Sequence, residues 1–159
     1  MLNDILSVWR THEAINRLML DNIADAGLLA IPLLKNGQPG KGRNVARVFV
    51  HIVEERLSHM RVAEKKLAGA VAEFEKSATP SREQLHAALA ASSDAVEALL
   101  TRLHDKAELL HGREVMHALG YLISHESHHR GQMLLALKQN GFALSEELRW
   151  GIWGLWFKD

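Results

Sequence analysis

Residues 113–141 read REVMHALGYLISHESHHRGQMLLALKQNG. Apolar residues recur here every three or four positions, which is the spacing of one face of an α-helix. These residues are Val115, Ala118, Leu119, Leu122, Met133, Ala136 and Leu137. The closing Gly141 is a typical helix stop. The stretch therefore predicts a helix over about 113–140 with one face buried.

Three other segments show the same helical periodicity, and no segment alternates as a strand does. They predict helices over about 2–27, 44–76 and 80–106. Asn44 is suited to cap the second helix, and Thr79-Pro80 is suited to begin the third. Four long helices with short connections are typical of an up-down four-helix bundle.

The 159 residues fit one domain. We therefore predict an all-α protein with a single bundle domain over 1–159. A short aromatic C-terminal tail over 145–159 completes the chain, and its large side chains are Trp150, Trp153, Trp156 and Phe157. We expect the tail to pack across the bundle or at a dimer interface.

Charge and hydropathy exclude several classes of protein. Nineteen acidic and nineteen basic residues balance, which does not favour a nucleic-acid binder. The longest apolar stretch, 27–34, contains Pro32 and is too short to span a bilayer. The N-terminal Met-Leu-Asn-Asp lacks the basic start and apolar run of a signal peptide. We expect a cytoplasmic protein that binds neither nucleic acid nor membrane.

The helix over 113–140 carries His125 and His129 one turn apart on the same face, so the two imidazoles can share one metal ion. The spacing alone is weak evidence in a chain with ten histidines. Placement is more informative: both histidines and Glu126 fall inside the apolar sector, while His128 and Arg130 fall outside it or at its edge.

Buried imidazoles and a buried carboxylate need partners. Two arrangements supply them: a divalent metal, or a hydrogen-bonded network of His, Glu and Gln132. Glu126 is a candidate general base, or a residue that orients a ligating imidazole. The His-Glu-x-x-His string also resembles a zinc peptidase motif, but Gln132 and Leu135 stand where the extended motif needs glycine and histidine.

A third ligand has to come from another part of the chain, and the pattern does not choose it. The candidates are His12, His51, His59, His86, His104, His111 and His117. In the second helix, the apolar pattern puts His59 nearer the centre of the buried stripe and His51 toward its flank.

Two short segments resemble signatures of the DinB/YfiT-like family of metal-dependent bundle proteins. They read HESHHRGQMLLAL over 125–137 and VFVHIVEERL over 48–57. The preceding GRNVAR over 42–47 is similar to the usual start of that family's second helix, and the aromatic tail resembles a tryptophan-rich subgroup. The resemblance covers nearly the whole chain.

The resemblance implies a metal site formed by His51, His125 and His129, with a divalent ion such as nickel or zinc. Iron also suits imidazole ligands. It implies a homodimer that acts on a small molecule, and an activity such as thiol S-transfer or isomerisation with a low-molecular-weight thiol as cosubstrate. The alternative is a non-catalytic metal-binding or stress-response protein. The chain has no cysteine, so any thiol must come from outside it.

Overall fold

The computed structural model describes residues 1–63, 65–69, 71–76 and 79–157. In these ranges the chain forms helices and no β-strand, which confirms the all-α prediction. The helices are α1 (Leu2–Asp21), α2 (Val45–Ala63), α3 (Lys65–Ala68), α4 (Arg82–Asp105), α5 (Val115–Gln139) and α6 (Glu146–Gly154). A 3-10 turn covers Asp25–Leu29. None of the helices in the described ranges has the length and apolarity needed to cross a bilayer.

The first helix ends at Asp21, six residues before the predicted stop at Gly27. Asn22 is the reason, because its side-chain amide donates to the carbonyl of Leu18 at 3.0 Å. This local bond competes with continuation of the helix. Gly27 lies instead in the 3-10 turn.

The second helix also ends earlier than predicted. Residues 65–68 form the separate helix α3, and residues 72–75 are not helical. Residues 64 and 70 of the predicted helix lie outside the described residues. The chain turns back after α2, so that Arg47 donates to the backbone carbonyl of Glu75 at 3.0 Å. In an unbroken helix these two residues would stand about 40 Å apart.

The third long helix begins at Arg82 rather than at Pro80. Its N-cap is Ser81, whose hydroxyl accepts from the Gln84 backbone while the Gln84 side chain accepts from the Ser81 backbone. This capping box displaces the predicted Thr79 cap. By contrast, Asn44 caps the second helix as expected, since its side-chain oxygen accepts from the Arg47 amide at 2.8 Å.

The four long helices, α1, α2, α4 and α5, pack around one apolar core. Trp9 of α1 is fully buried, and its indole nitrogen donates to the Ser93 hydroxyl of α4 at 3.0 Å. At the other end of α1, Arg82 of α4 donates to the carbonyl of Ile23. The C-terminal end of α1 therefore lies beside the start of α4.

The aromatic tail packs only in part. Leu148 of α6 is buried, and a Cβ placed on Gly151 would lie 2.8 Å from the Leu18 side chain, so α6 approaches α1 closely. The rings of Trp150 and Trp153 remain 67% and 62% exposed. The expected packing across the bundle thus involves the small and aliphatic residues of α6 and not these rings. Residues 158–159 of the predicted tail lie outside the described residues.

Candidate metal centre

Three histidines from two helices meet at one point. His51 comes from α2, and His125 and His129 come from α5. One ring nitrogen from each lies within 4.8 Å of the other two. Nε2 of His125 and Nε2 of His129 are 3.1 Å apart. The His51 ring centroid lies 4.6 Å from that of His129 and 5.4 Å from that of His125.

This geometry fits a divalent metal ion. Two imidazole nitrogens bound to one ion at ordinary bond lengths lie about 3.0–3.4 Å apart. The separation of 3.1 Å between His125 and His129 falls in that range. Two ring nitrogens at this distance can share only one proton as a hydrogen bond, whereas an ion would use the lone pairs of both.

Neighbouring side chains orient two of the three rings. Nδ1 of His129 lies 2.8 Å from Oε1 of Gln132, and because that oxygen only accepts, Nδ1 carries the proton. The Nε2 lone pair of His129 is then free to face the cluster. The His125 ring stacks on Tyr121, with 5.7 Å between centroids and 10° between planes. Stacking holds this ring, since Nδ1 of His125 has no hydrogen-bond partner among the described residues.

The cluster favours neutral imidazoles, the form that binds metal. Burial, together with the nearby Arg43 guanidinium, lowers the pKa of His51 to about 4. Burial also lowers the pKa of His129, although its hydrogen bond to Gln132 acts in the opposite direction. At neutral pH both rings are therefore uncharged.

Glu126 is placed away from the ligand nitrogens, although it stands between His125 and His129 in sequence. Its side chain is 1% exposed and accepts two hydrogen bonds from Arg56, at 2.7 and 2.8 Å. Burial alone would raise the pKa of Glu126, but the charge and hydrogen bonds of Arg56 bring it well below its usual range. The carboxylate needs no metal to satisfy it.

Glu126 belongs to a polar network that runs through the core. His12 lies 2.8 Å from the same carboxylate, and Asn16 donates to it at 2.7 Å. Arg56 also donates to Glu13 at 2.7 Å. Of the two arrangements considered from the sequence, Glu126 therefore has the hydrogen-bonded network. The geometry that suits a metal ion is formed by the three histidines alone.

Arg130 is buried, contrary to its expected place outside the apolar sector or at its edge. Its guanidinium donates to the Asn16 side chain at 2.8 Å and to the Ser127 hydroxyl at 2.7 Å. The long side chain reaches inward from a flank position, which helical periodicity does not register. His128 is exposed, as expected, and accepts from the Gln132 amide at 2.9 Å.

The network also contains residues that the sequence analysis missed, namely Glu13, Asn16 and Arg56. The sequence does contain a pattern that indicates the first two. They fall on the apolar stripe of α1, where Trp9 and Met19 are buried, so their polar side chains point into the core. A buried polar group on such a stripe requires a partner.

The other candidates for the third ligand lie elsewhere. His86 is 2.8 Å from the Asp21 carboxylate, and His104 is 2.9 Å from that of Asp105. His12 is part of the polar network. His59, which the apolar pattern favoured, lies 3.0 Å from His111 and is not part of the triad.

A cavity of about 370 Å³ opens beside His129. Arg43 and Gln132 provide polar groups in its wall, and Val48 and Met133 provide apolar ones. The cavity therefore adjoins one histidine of the cluster, and the Arg43 cation lies in its wall.

Comparison with family models finds one match that covers most of the chain. A family model described as the DinB family matches residues 1–145, and this range contains all three histidines. No curated protein and no solved structure matches the chain significantly.

Proposed function

Because the chain belongs to the DinB family, we propose that it is a divalent-metal-binding protein with metal-dependent thiol S-transferase activity toward a small molecule. His51, His125 and His129 are the proposed ligands, and nickel or zinc is the proposed ion, with iron as a further fit. The observation that carries the proposal is the cluster itself, with three imidazole nitrogens within 4.8 Å of one another.

Three histidines leave coordination positions for water or substrate, which is typical of catalytic rather than structural sites. When bound, the ion would lower the pKa of a coordinated thiol and so supply a thiolate nucleophile. Gln132 contributes by holding His129 in the tautomer whose Nε2 can ligate. Burial contributes by keeping the His51 ring neutral.

The cavity beside His129 supports a small-molecule substrate. Its volume of about 370 Å³ lies within the range of ligand pockets. The Arg43 guanidinium in its wall suits a cosubstrate that carries a carboxylate. Apolar Val48 and Met133 provide a surface for an uncharged part of either reactant.

Three further features belong to the proposal. We infer an up-down arrangement of the four long helices, supported by the position of Arg82 at the end of α1. We infer a cytoplasmic location.

We infer a homodimer formed through α6, supported by the exposed rings of Trp150 and Trp153, because adjacent exposed aromatic residues often mark an interface.

The experiment is a spectroscopic titration. Metal-free protein is loaded with Co²⁺ or Ni²⁺ and titrated with glutathione and other low-molecular-weight thiols, including bacillithiol. Coordination of a thiolate should produce a sulfur-to-metal charge-transfer band. Thiol consumption is then measured with a chromogenic electrophile.

The matched variants are His125→Ala and His128→Ala, which remove neighbouring histidines of the same helix. The first should abolish the band and the turnover, and the second should preserve both. If no thiol changes the spectrum of the loaded protein, the transferase proposal is wrong and the non-catalytic metal-binding alternative is favoured.

A further inference from the structure

A second pair of histidines faces each other on the far side of Tyr121. Nδ1 of His59 and Nε2 of His111 are 3.0 Å apart, and the two rings are nearly perpendicular. This separation is close to the 3.1 Å between His125 and His129. Tyr121 separates the two clusters, since its ring stacks on His125 and contacts the edge of His59.

The backbone at His111 is unusual. His111 and Gly112 have φ values of 52° and 74°, and they form a two-residue turn closed by backbone hydrogen bonds between Leu110 and Arg113. Glycine, asparagine or aspartate is the usual choice where φ is positive. Histidine is also enriched at positive φ, so the turn accommodates His111 and holds its ring beside His59.

His59 has the surroundings of a metal ligand. Its side chain is buried, and burial lowers its pKa, so the ring is neutral at physiological pH. Nε2 of His59 has no hydrogen-bond partner among the described residues and lies 3.6 Å from Oε1 of Glu55. If Nδ1 ligates an ion, the proton resides on Nε2 and faces this carboxylate, which is the usual support of a ligating histidine.

We propose that His59 and His111 form a second site for a divalent transition-metal ion, with Glu55 as the carboxylate that orients His59. Imidazole donors select zinc, nickel, copper or cobalt rather than magnesium or calcium. The site opens into a cavity of about 350 Å³, where water can complete the coordination and His117 lines the wall. With two protein ligands, the site should bind more weakly than the triad.

The inference is independent of the thiol chemistry proposed above. It is tested by calorimetric titration of the metal-free, full-length protein with Zn²⁺, and by Co²⁺ absorption under the same conditions. The wild-type chain should show two binding events of different affinity. His111→Asn should remove the weaker event, and His125→Ala should remove the tighter one.

His111→Asn is the preferred variant because asparagine tolerates positive φ and His111 is exposed, so the fold is preserved. Loss of an orienting partner alone weakens metal binding by about 10- to 100-fold. The weaker event should therefore lose at least that much affinity in His111→Asn, and about that much in Glu55→Gln. His104→Ala, which removes an unrelated, half-buried histidine, should leave both events unchanged.

A single wild-type binding event that is lost in His125→Ala and kept in His111→Asn would overturn the inference, as would a second event that persists in both His111→Asn and His59→Phe. In that case the histidines are joined by a hydrogen bond only. A single wild-type event that is kept in His125→Ala and lost in His111→Asn would contradict the triad and leave the second site standing, so the two proposals fail separately.

Discussion

Arg56 binds the carboxylate of Glu126 through two parallel hydrogen bonds, and both side chains are almost completely buried. Arg56 lies on α2, a little more than one turn beyond His51, and Glu126 follows His125 on α5. This ion pair therefore joins α2 and α5 next to the histidine cluster. We interpret it as the contact that fixes α2 and α5 relative to each other along their axes, so that His51 lies opposite His125 and His129.

Removing either partner should destabilise the fold severely. Glu126→Ala leaves the Arg56 charge buried with less compensation, and breaking a buried pair in this way costs about 3–5 kcal/mol. Urea unfolding of the metal-free protein measures the change. Arg10→Ala, which breaks an ion pair with Glu97 in which Arg10 is 63% exposed, is the control and should cost about 1 kcal/mol or less. Equal effects of the two substitutions would contradict this account.

The proposed roles of Glu126 are separated by Glu126→Gln. Because the side chain bonds to Arg56 and Asn16 in the core, we expect a loss of stability with metal content per folded chain retained. A general base would instead show normal stability and loss of turnover. Metal analysis, urea unfolding and the thiol assay on the same sample distinguish these results.

Metal content should depend on three histidines of the ten. His51→Ala, His125→Ala and His129→Ala should each reduce bound metal sharply at the tight site, since each removes one ligand of the cluster. Elemental analysis of untagged protein, dialysed to remove weakly bound ions, should find about one ion per wild-type chain under these conditions. His128→Ala should keep it, and so should His59→Phe. Retention in His51→Ala with loss in His59→Phe would show that the third ligand is assigned wrongly.

Acid should destabilise the metal-free protein before its carboxylates titrate. An unfolded histidine has a pKa of about 6.5, whereas burial lowers that of His51 to about 4 and lowers that of His129 as well. Between these values the unfolded chain binds more protons, so the free energy of unfolding falls as pH decreases. Urea midpoints at pH 7.5, 6 and 5 measure the slope. His51→Gln should make it shallower, and an unchanged slope in that variant would contradict the assignment.

A Cβ placed on Gly131 would meet nothing within 4 Å. Because Gly131 lies inside α5, Gly131→Ala should stabilise the protein by about 0.5–1 kcal/mol, through helix propensity alone. Gly141→Ala is the matched control. Its φ of +79° is unfavourable for alanine, so that substitution should destabilise. Thermal unfolding of both variants tests the contrast.

The exposed aromatic rings of α6 predict self-association. Trp150→Ser and Trp153→Ser together should shift a dimer toward monomer in light scattering, because they remove the apolar area proposed to be buried between copies. Leu109→Ser, which removes an exposed apolar residue between α4 and α5, should have no effect. A wild-type chain that is monomeric at all concentrations would contradict the proposed dimer.

Local patterns predicted the helices well where local forces determine them. α5 runs over Val115–Gln139 as its apolar spacing indicates, and Asn44 caps α2 as its side chain allows. The early end of α2 was missed because the chain there returns toward the start of the same helix, where Arg47 contacts Glu75, and these residues are far apart in sequence. A periodicity within one segment contains no information about such contacts.

The same limit applies to the site. Helical spacing placed His125 and Glu126 in the buried sector, but it could not show which residues of other helices stand opposite them. His51 was taken from family resemblance against the apolar pattern, and the structure brings it to the pair. Arg56 was missed because arginine is rarely buried unless paired, and its pairing partner lies on another helix.

The position of the cluster on α2 and α5 has a consequence for the chain as a whole. An ion held by His51 and His125 would be a reversible cross-link between segments 74 residues apart, in a protein that has no cysteine for a disulfide. Because the ion binds the folded chain and not the unfolded one, it stabilises the fold by about 2.7 kcal/mol when free metal is at a hundred times its dissociation constant. Loss of the metal would then lower the free energy of unfolding and also remove the proposed metal-dependent activity.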